Sequence, residues 1–165
     1  MVINTNTMRN LILANIKDGL TDELGKKSPY DTLQVEDIQA RLPDSILVNY
    51  FIGLSIDRAS VINQEIGKFH PSNNEYLCSV VVRVRNGDYE EGQTELDTLV
   101  RRITKYFSKD TGSLLGLNSN EDGVDETVIS YNIEDFDYIA GQAKKKIGLI
   151  HLCMINLRIK TNLNI

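Results

Sequence analysis

From residue 76 to residue 84 every second side chain is apolar, Tyr76, Cys78, Val80, Val82 and Val84, and at Asn86-Gly87-Asp88 that period of two stops. Beyond the break Leu96, Leu99, Val100, Ile103 and Phe107 recur at i, i+3 and i+4. A strand sets alternate residues on one face and a helix sets this spacing on one stripe. The stretch 75–109 therefore predicts a strand, a tight turn and an amphipathic helix whose stripe must lie back on a sheet. Leu77, Ser79, Val81, Arg83 and Arg85 occupy the other strand face. Asp88 followed by Glu91 is a variant capping box, in which each side chain can accept from free amides of the first turn. Acids early in the helix, Glu90, Glu91, Glu95 and Asp97, and bases late, Arg101, Arg102, Lys105 and Lys109, suit its dipole. Gly92 falls in the first turn, where its cost is smaller than in mid-helix.

Other elements can be placed around this unit. Met8, Ile12, Ile16, Leu20 and Leu24 recur four apart and predict a helix over 6–24, weakened by Gly19 and stopped near Gly25. Residues 26–32 read as a linker. Ile38, Ala40 and Leu42 alternate with polar neighbours as a short strand, and Pro43-Asp44 turns into a second strand over 45–57. There Ile46, Val48, Tyr50, Ile52, Leu54 and Ile56 fill one face, with Leu47, Phe51 and Gly53 on the other. Residues 58–74, with His70-Pro71, read as a long excursion with a helical turn near 61–66.

Residues 110–143 contain no Lys or Arg, while eight acids fall between Asp110 and Asp137. Gly, Ser and Asn make 110–123 a loop, and Thr127, Ile129, Tyr131 and Ile133 then alternate as a strand. The segment 135–146 reads as an irregular return or a hairpin arm. The last strand, 148–161, carries Leu149, His151, Cys153, Ile155, Leu157 and Ile159 on one face and Ile150, Leu152 and Met154 on the other. The expectation is an α+β fold in one domain, 1–165: a single, mostly antiparallel sheet of about five strands with an N-terminal and a central helix packed on it, in the order α-β-β-β-α-β-β.

Chemistry finds little support. The net charge is −5, with 41% apolar and 25% charged residues, an ordinary globular balance whose only basic run is Lys144-Lys145-Lys146. Cys78 and Cys153 sit in apolar runs, implying free thiols and a reducing compartment. No apolar run follows the first ten residues, so neither a leader nor a membrane span is expected and the chain reads as soluble and made inside a cell. Asn118, Asn120, Asp122 and Gly123 match half of a calcium loop, but its twelfth position is Ile129, and a Gly/Asn turn accounts for them better. His151, Cys153 and Cys78 could converge across strands as zinc ligands or a thiol centre, yet two residues two apart on one strand face more often pack a core. His70 reads as a surface residue. Glu134, Asp135 and Asp137 offer paired carboxylates, but acids so close in a loop usually face water. Asn86-Gly87-Asp88 is no phosphate loop, since neither glycine fingerprint is present. No catalytic, cofactor or metal residue is assigned.

Leu47, Phe51, Ile150, Leu152 and Met154 leave apolar surface opposite the dominant strand faces. Either helices lie on both sides of the sheet, or 58–74 folds over it, or a second subunit covers it. The charge polarity favours the last, with Arg101, Arg102 and Lys105 on the helix and Asp135, Asp137, Lys144, Lys145 and Lys146 in the 135–146 segment as the predicted contact surfaces.

In length and element order, from the N-terminal helix and strand pair through the 76–107 strand, Gly-Asp turn and acid-opened helix to a closing strand ending in Arg158-Ile159-Lys160, the chain resembles the tail terminator, or tail completion, proteins of tailed bacteriophages. The resemblance covers nearly the whole chain and is architectural, without a signature motif. It implies a non-enzymatic virion subunit of the tail or neck. Such a subunit forms a ring, typically a hexamer, that caps the tail tube, meets the tube protein and the head connector, and lets DNA pass an acidic lumen without sequence-specific binding. Other neck or head-tail joining proteins would fit the same pattern. The competing classes are a regulatory interaction domain and a small enzyme or ligand binder, for which a deep pocket ringed by His151, Cys153 and Glu134 would be the mark.

Overall fold

The structure is a computed structural model, and it describes residues 8–25, 35, 37–40, 48–62, 73–108, 114, 117, 126–144 and 148–163. Its elements run α1 (Met8–Gly25), β1 (Asp37–Gln39), β2 (Tyr50–Ile62), β3 (Asn73–Arg85), α2 (Tyr89–Ser108), β4 (Glu126–Lys144) and β5 (Gly148–Leu163), the α-β-β-β-α-β-β order expected. The five strands form one sheet in the order β1-β2-β3-β5-β4. Three pairings are antiparallel, and β1 joins β2 in parallel, so the sheet is mixed. The hairpins β2–β3 and β4–β5 are joined by the ladder between β3 and β5, which runs from Asn73 opposite Asn162 to Arg85 opposite Ile150.

Both helices serve one sheet face. Met8, Ile12, Ile16, Leu20 and Leu24 of α1 and Leu96, Leu99, Val100, Ile103 and Phe107 of α2 are buried in one cluster with Ile52, Leu54, Cys78, Val80, Cys153 and Ile155 of the sheet. Gly19, expected only to weaken α1, sits where Tyr106 of α2 crosses: a Cβ there would stand 1.9 Å from the Tyr106 hydroxyl. Arg102 closes the same seam, donating from Nη2 to the carbonyl of Leu24 at 3.3 Å, which satisfies an acceptor the helix end leaves open. The opposite sheet face has no helix among the described residues. At one end Phe51, Val81 and Ile150 are buried on it nonetheless, with the Arg83 guanidinium 5.4 Å from the Phe51 ring centroid and its Nη2 donating to the Val48 carbonyl. Leu152 and Met154 are half-buried, and Leu47 lies outside the described residues.

Several expectations about the strands need correction, and bulges explain those at 58–62 and the phase of β4. Residues 58–62 and 73–74 belong to the β2–β3 hairpin rather than to an excursion. The ladder shifts register between Ile56 and Arg58, so even-numbered residues face the helices before Asp57 and odd-numbered ones after it, and the alternation that would reveal the strand is broken there. Of the supposed helical turn, Val61 and Ile62 are strand and 63–66 lie outside the described residues. The strand expected over 45–57 is seen from Tyr50, with 48 and 49 outside it and 45–47 outside the described residues. Of the two readings of 135–146, the hairpin arm is the one seen as far as Lys144, with 145–146 outside the described residues: β4 runs on over 19 residues against β5, with register shifts between Val128 and Ser130, Ile133 and Asp135, and Ile139 and Gln142. The first of these reverses the phase of the strand. Val128 is buried and Ile129, expected on the core face with Thr127 and Tyr131, is 49% exposed.

Candidate functional site

His151, Cys153 and Cys78 are packed into the core. His151 is buried on the helix-facing side of β5, where Nε2 donates to the Asn86 carbonyl at 3.2 Å and Nδ1 accepts from the Gln93 side-chain amide at 3.0 Å. That pairing follows from the amide being a donor. The ring thus ties the strand-turn-helix junction to β5, and it presses so close to α2 that a Cβ on Gly92 would lie 2.1 Å from Nε2. Cys153 pairs with Val82, whereas Cys78 pairs with Leu157, four residues along the strand and so about 13 Å away. The two thiols do not converge. Burial pushes the Cys78 thiol up to about 12, with Asp57 adding to the effect. It pushes Cys153 up to about 11, against a hydrogen bond with Tyr138 that lowers it. Thiols held protonated are poor nucleophiles and poor metal ligands. Among the described residues no group of three or more His, Cys, Asp or Glu is placed to hold a metal ion. His70 and the Asn118 to Gly123 turn lie outside them.

Glu134, Asp135 and Asp137 of β4 lie on the helix-free face, across the sheet from His151 and Cys153. Asn156 of β5 donates to Asp135 at 2.5 Å and to Asp137 at 3.1 Å, and its Oδ1 lies 3.2 Å from the Ser79 hydroxyl, which also bonds Asp57. One row further along, Arg158 bridges Glu134 of β4 and Glu75 of β3. These contacts stitch neighbouring strands across the face. They are cross-strand pairs rather than a catalytic dyad.

A buried carboxylate was not singled out in the sequence. Glu126, at the start of β4, is 4% exposed and accepts from the hydroxyls of Tyr76 at 2.8 Å and Thr161 at 2.5 Å and from the Asn74 amide at 2.8 Å. Burial first, and then the hydrogen bond to Glu126, raise the Tyr76 pKa above its ordinary value. A signal was present. Asn74, Tyr76 and Thr161 are polar residues on core-facing positions at one end of the sheet, and buried polar groups need a partner.

The surface with most to offer is the edge formed by β4. Of the large hydrophobic residues exposed among the described ones, Ile129, Phe136, Tyr138 and Ile139 all belong to this strand, with Tyr89 on α2 the remaining one. Near its start the strand's outer edge is occupied, since the Val128 N–H donates to the Leu117 carbonyl and the Tyr131 hydroxyl to the Phe107 carbonyl. Beyond the bulge at Glu134 no described residue pairs with it. Phe136 and Tyr138 lie on the helix side, opposite Ile155 and Cys153, and Asp135, Asp137 and Ile139 on the other side. Partial burial first, then Cys153 and Asp97, raise the Tyr138 pKa, with Arg101 opposing, which places these α2 charges beside it. Of the predicted contact residues, Arg101 and Lys105 are exposed on α2, Arg102 is engaged with α1, and Asp135 and Asp137 are exposed across the sheet from them. Lys144 ends β4, and Lys145 and Lys146 lie outside the described residues.

No family model matches this chain, and no curated protein does. Among solved structures, a chain from "Virion of native gene transfer agent (GTA) particle" aligns over 92% of this chain and 94% of its own length, at 9% identity and a TM-score of 0.42. Likeness at that level carries no argument about role. No helix among the described residues is long and apolar enough to cross a membrane.

Proposed function

We propose that this chain is a structural subunit of a phage-like virion, a tail terminator-like protein that assembles into a ring joining the tail tube to the head connector. The observation that carries the reading is the β4 edge, a 19-residue strand that exposes Ile129, Phe136, Tyr138 and Ile139. Apolar side chains gathered on one open edge are what an assembling subunit buries in its neighbour, and what an isolated monomer avoids. Two further facts support it. The α-β-β-β-α-β-β order is that of the resemblance, and His151, Cys78 and Cys153 are committed to packing. The role is mechanical. A closed ring of six, the number the resemblance implies, would present one rim to the tube and the other to the connector, while a net charge of −5 per subunit disfavours DNA adhering in the lumen.

The test is native mass spectrometry with negative-stain electron microscopy of purified protein from low micromolar to several hundred micromolar. A ring of fixed stoichiometry, or stacked rings, is expected. A monomer throughout that range would overturn the reading.

A further inference from the structure

The sheet has two incompletely paired edges, and they are chemically unlike. On one side 135–139 of β4 pairs regularly with β5 between two bulges and turns its outer backbone groups to solvent among the described residues. On the other side β1 covers only Phe51, Ile52 and Gly53 of β2, so from residue 55 onward no described residue pairs with the outer edge of β2. The β4 edge presents Asp135 and Asp137 on the helix-free side and Phe136 and Tyr138 on the helix side. On the β2 edge Arg58 is exposed on the helix-free side, opposite Leu77, and makes no ion pair among the described residues. Ala59, a small residue, is exposed on the helix side, opposite Tyr76.

We infer that copies of this chain join head to tail through these two edges, 135–139 of β4 against 55–62 of β2 in the next copy, so that the sheet continues from subunit to subunit. The inference rests on the ring reading above and names its contact. Three matches select a second copy as the occupant. Acid meets base on the helix-free side, where Asp135 and Asp137 face Arg58 of the next copy. Aromatic rings meet a small residue on the helix side, where Phe136 and Tyr138 cover Ala59 of the next copy. Direction is the third match. β2 is antiparallel to β3, β3 to β5 and β5 to β4, so β4 runs opposite to β2, and a head-to-tail repeat that keeps all helices on one side pairs them antiparallel, the more stable arrangement.

The pairing requires a stagger. Within one subunit Asp137 is level with Gly53, through Met154 and Val81. Bringing Asp137 opposite Arg58, which is itself level with Leu77, slides the next copy by four rungs of the ladder, roughly 13 Å along the strands, and sets Phe136 opposite Ala59. Closure of a sheet demands such a shear whenever its strands tilt from the axis of closure. Because the contact is heterologous, it forms a ring where the rotation closes and a helical filament where it does not. The bulges that flank 135–139 limit the open stretch to one strand's usual length, which favours one register.

The test uses the full-length protein in three variants: Arg58→Glu, Asp135→Arg with Asp137→Arg, and the combination of all three. Circular dichroism melting of each confirms folding, and assembly is read by native mass spectrometry and sedimentation. Each reversal alone is expected to weaken association at least tenfold, and the combination to restore it. A second measurement replaces Arg58 and Asp137 together by cysteine: mild oxidation is expected to give a ladder of covalent oligomers, Cys78 and Cys153 being buried. Oligomers that persist unchanged in both reversals and give no ladder overturn this contact while leaving ring assembly standing. A wild-type protein that is monomeric at every concentration overturns both.

Discussion

At the scale of single residues, the chain is organised by close approaches that composition hides. Gly92 permits His151 to sit in the first turn of α2, where an added Cβ would meet Nε2, Cδ2 and Cε1 at 2.1, 2.4 and 2.8 Å. The ring cannot retreat without releasing Asn86 or Gln93. Gly92→Ala gains up to about 1 kcal/mol of helix propensity, but a forced shift in a packed interior costs about 1–3 kcal/mol, so urea denaturation should show net destabilisation. Gly87→Ala, with nothing within 4 Å of its Cβ, should change the urea midpoint little. An unaltered midpoint in Gly92→Ala would show that His151 moves freely. The sequence showed both residues and put each in its element, Gly92 in the first turn and His151 on the inward face of the last strand. It could not show that they touch, because β5 reaches α2 only after the chain between them has folded.

At the scale of elements, what was legible is what repeats. The helix stripes, the alternation in β3 and β5 and the Asp88 half of the α2 cap were readable: the Glu91 N–H donates to Asp88 Oδ1 at 2.9 Å, while the Asp88 N–H, which a capping box would give to the Glu91 side chain, donates to Asn86 Oδ1 at 2.9 Å. Asp88→Ala removes the first of these and should cost about 1 kcal/mol, measured as a lower urea midpoint, with Asp88→Asn or Asp88→Ser recovering most of it. A loss no larger than that of an exposed mid-helix substitution would mean that the cap is redundant. Past Ile133, β4 could be read only as an irregular return or a hairpin arm, for the opposite reason. Glu134 is an extra residue between paired ones, and each insertion moves the following side chains to the other face. A search for period two then sees noise where there are regular runs of unequal phase. The β4 edge, which forms the candidate assembly surface, lies in this stretch and was recognised as a contact segment only by its charge.

At the scale of the whole molecule, stability should fall in alkali. Cys78 and Cys153 have pKa values raised from an ordinary 9 to about 12 and about 11, and Tyr76 is raised from an ordinary 10. Below pH 9 all three groups are protonated in both folded and unfolded chains, and their burial is fully expressed. Above it the unfolded chain releases protons that the folded one keeps, so stability is lost as pH rises towards the folded values, at up to about 1.4 kcal/mol per pH unit for each thiol. The urea midpoint should be level in this respect up to pH 9 and decline between pH 9 and 11. Cys78→Ala should begin lower and decline less steeply, and a variant slope equal to that of the wild type would remove Cys78 from the account.

The ladder between β3 and β5 has a consequence for how the molecule comes into being. Each hairpin closes between near neighbours in sequence, but the seam that unites them joins Asn73 to Asn162 and Arg85 to Ile150. Chain closure over such a span is slow compared with the closing of a hairpin. During synthesis β3 is complete and α2 can form while the inner edge of β3 still waits for β5. Through that interval the unsatisfied strand in the middle of the future sheet, rather than the one at its rim, is the place where a nascent chain is most open to the wrong partner.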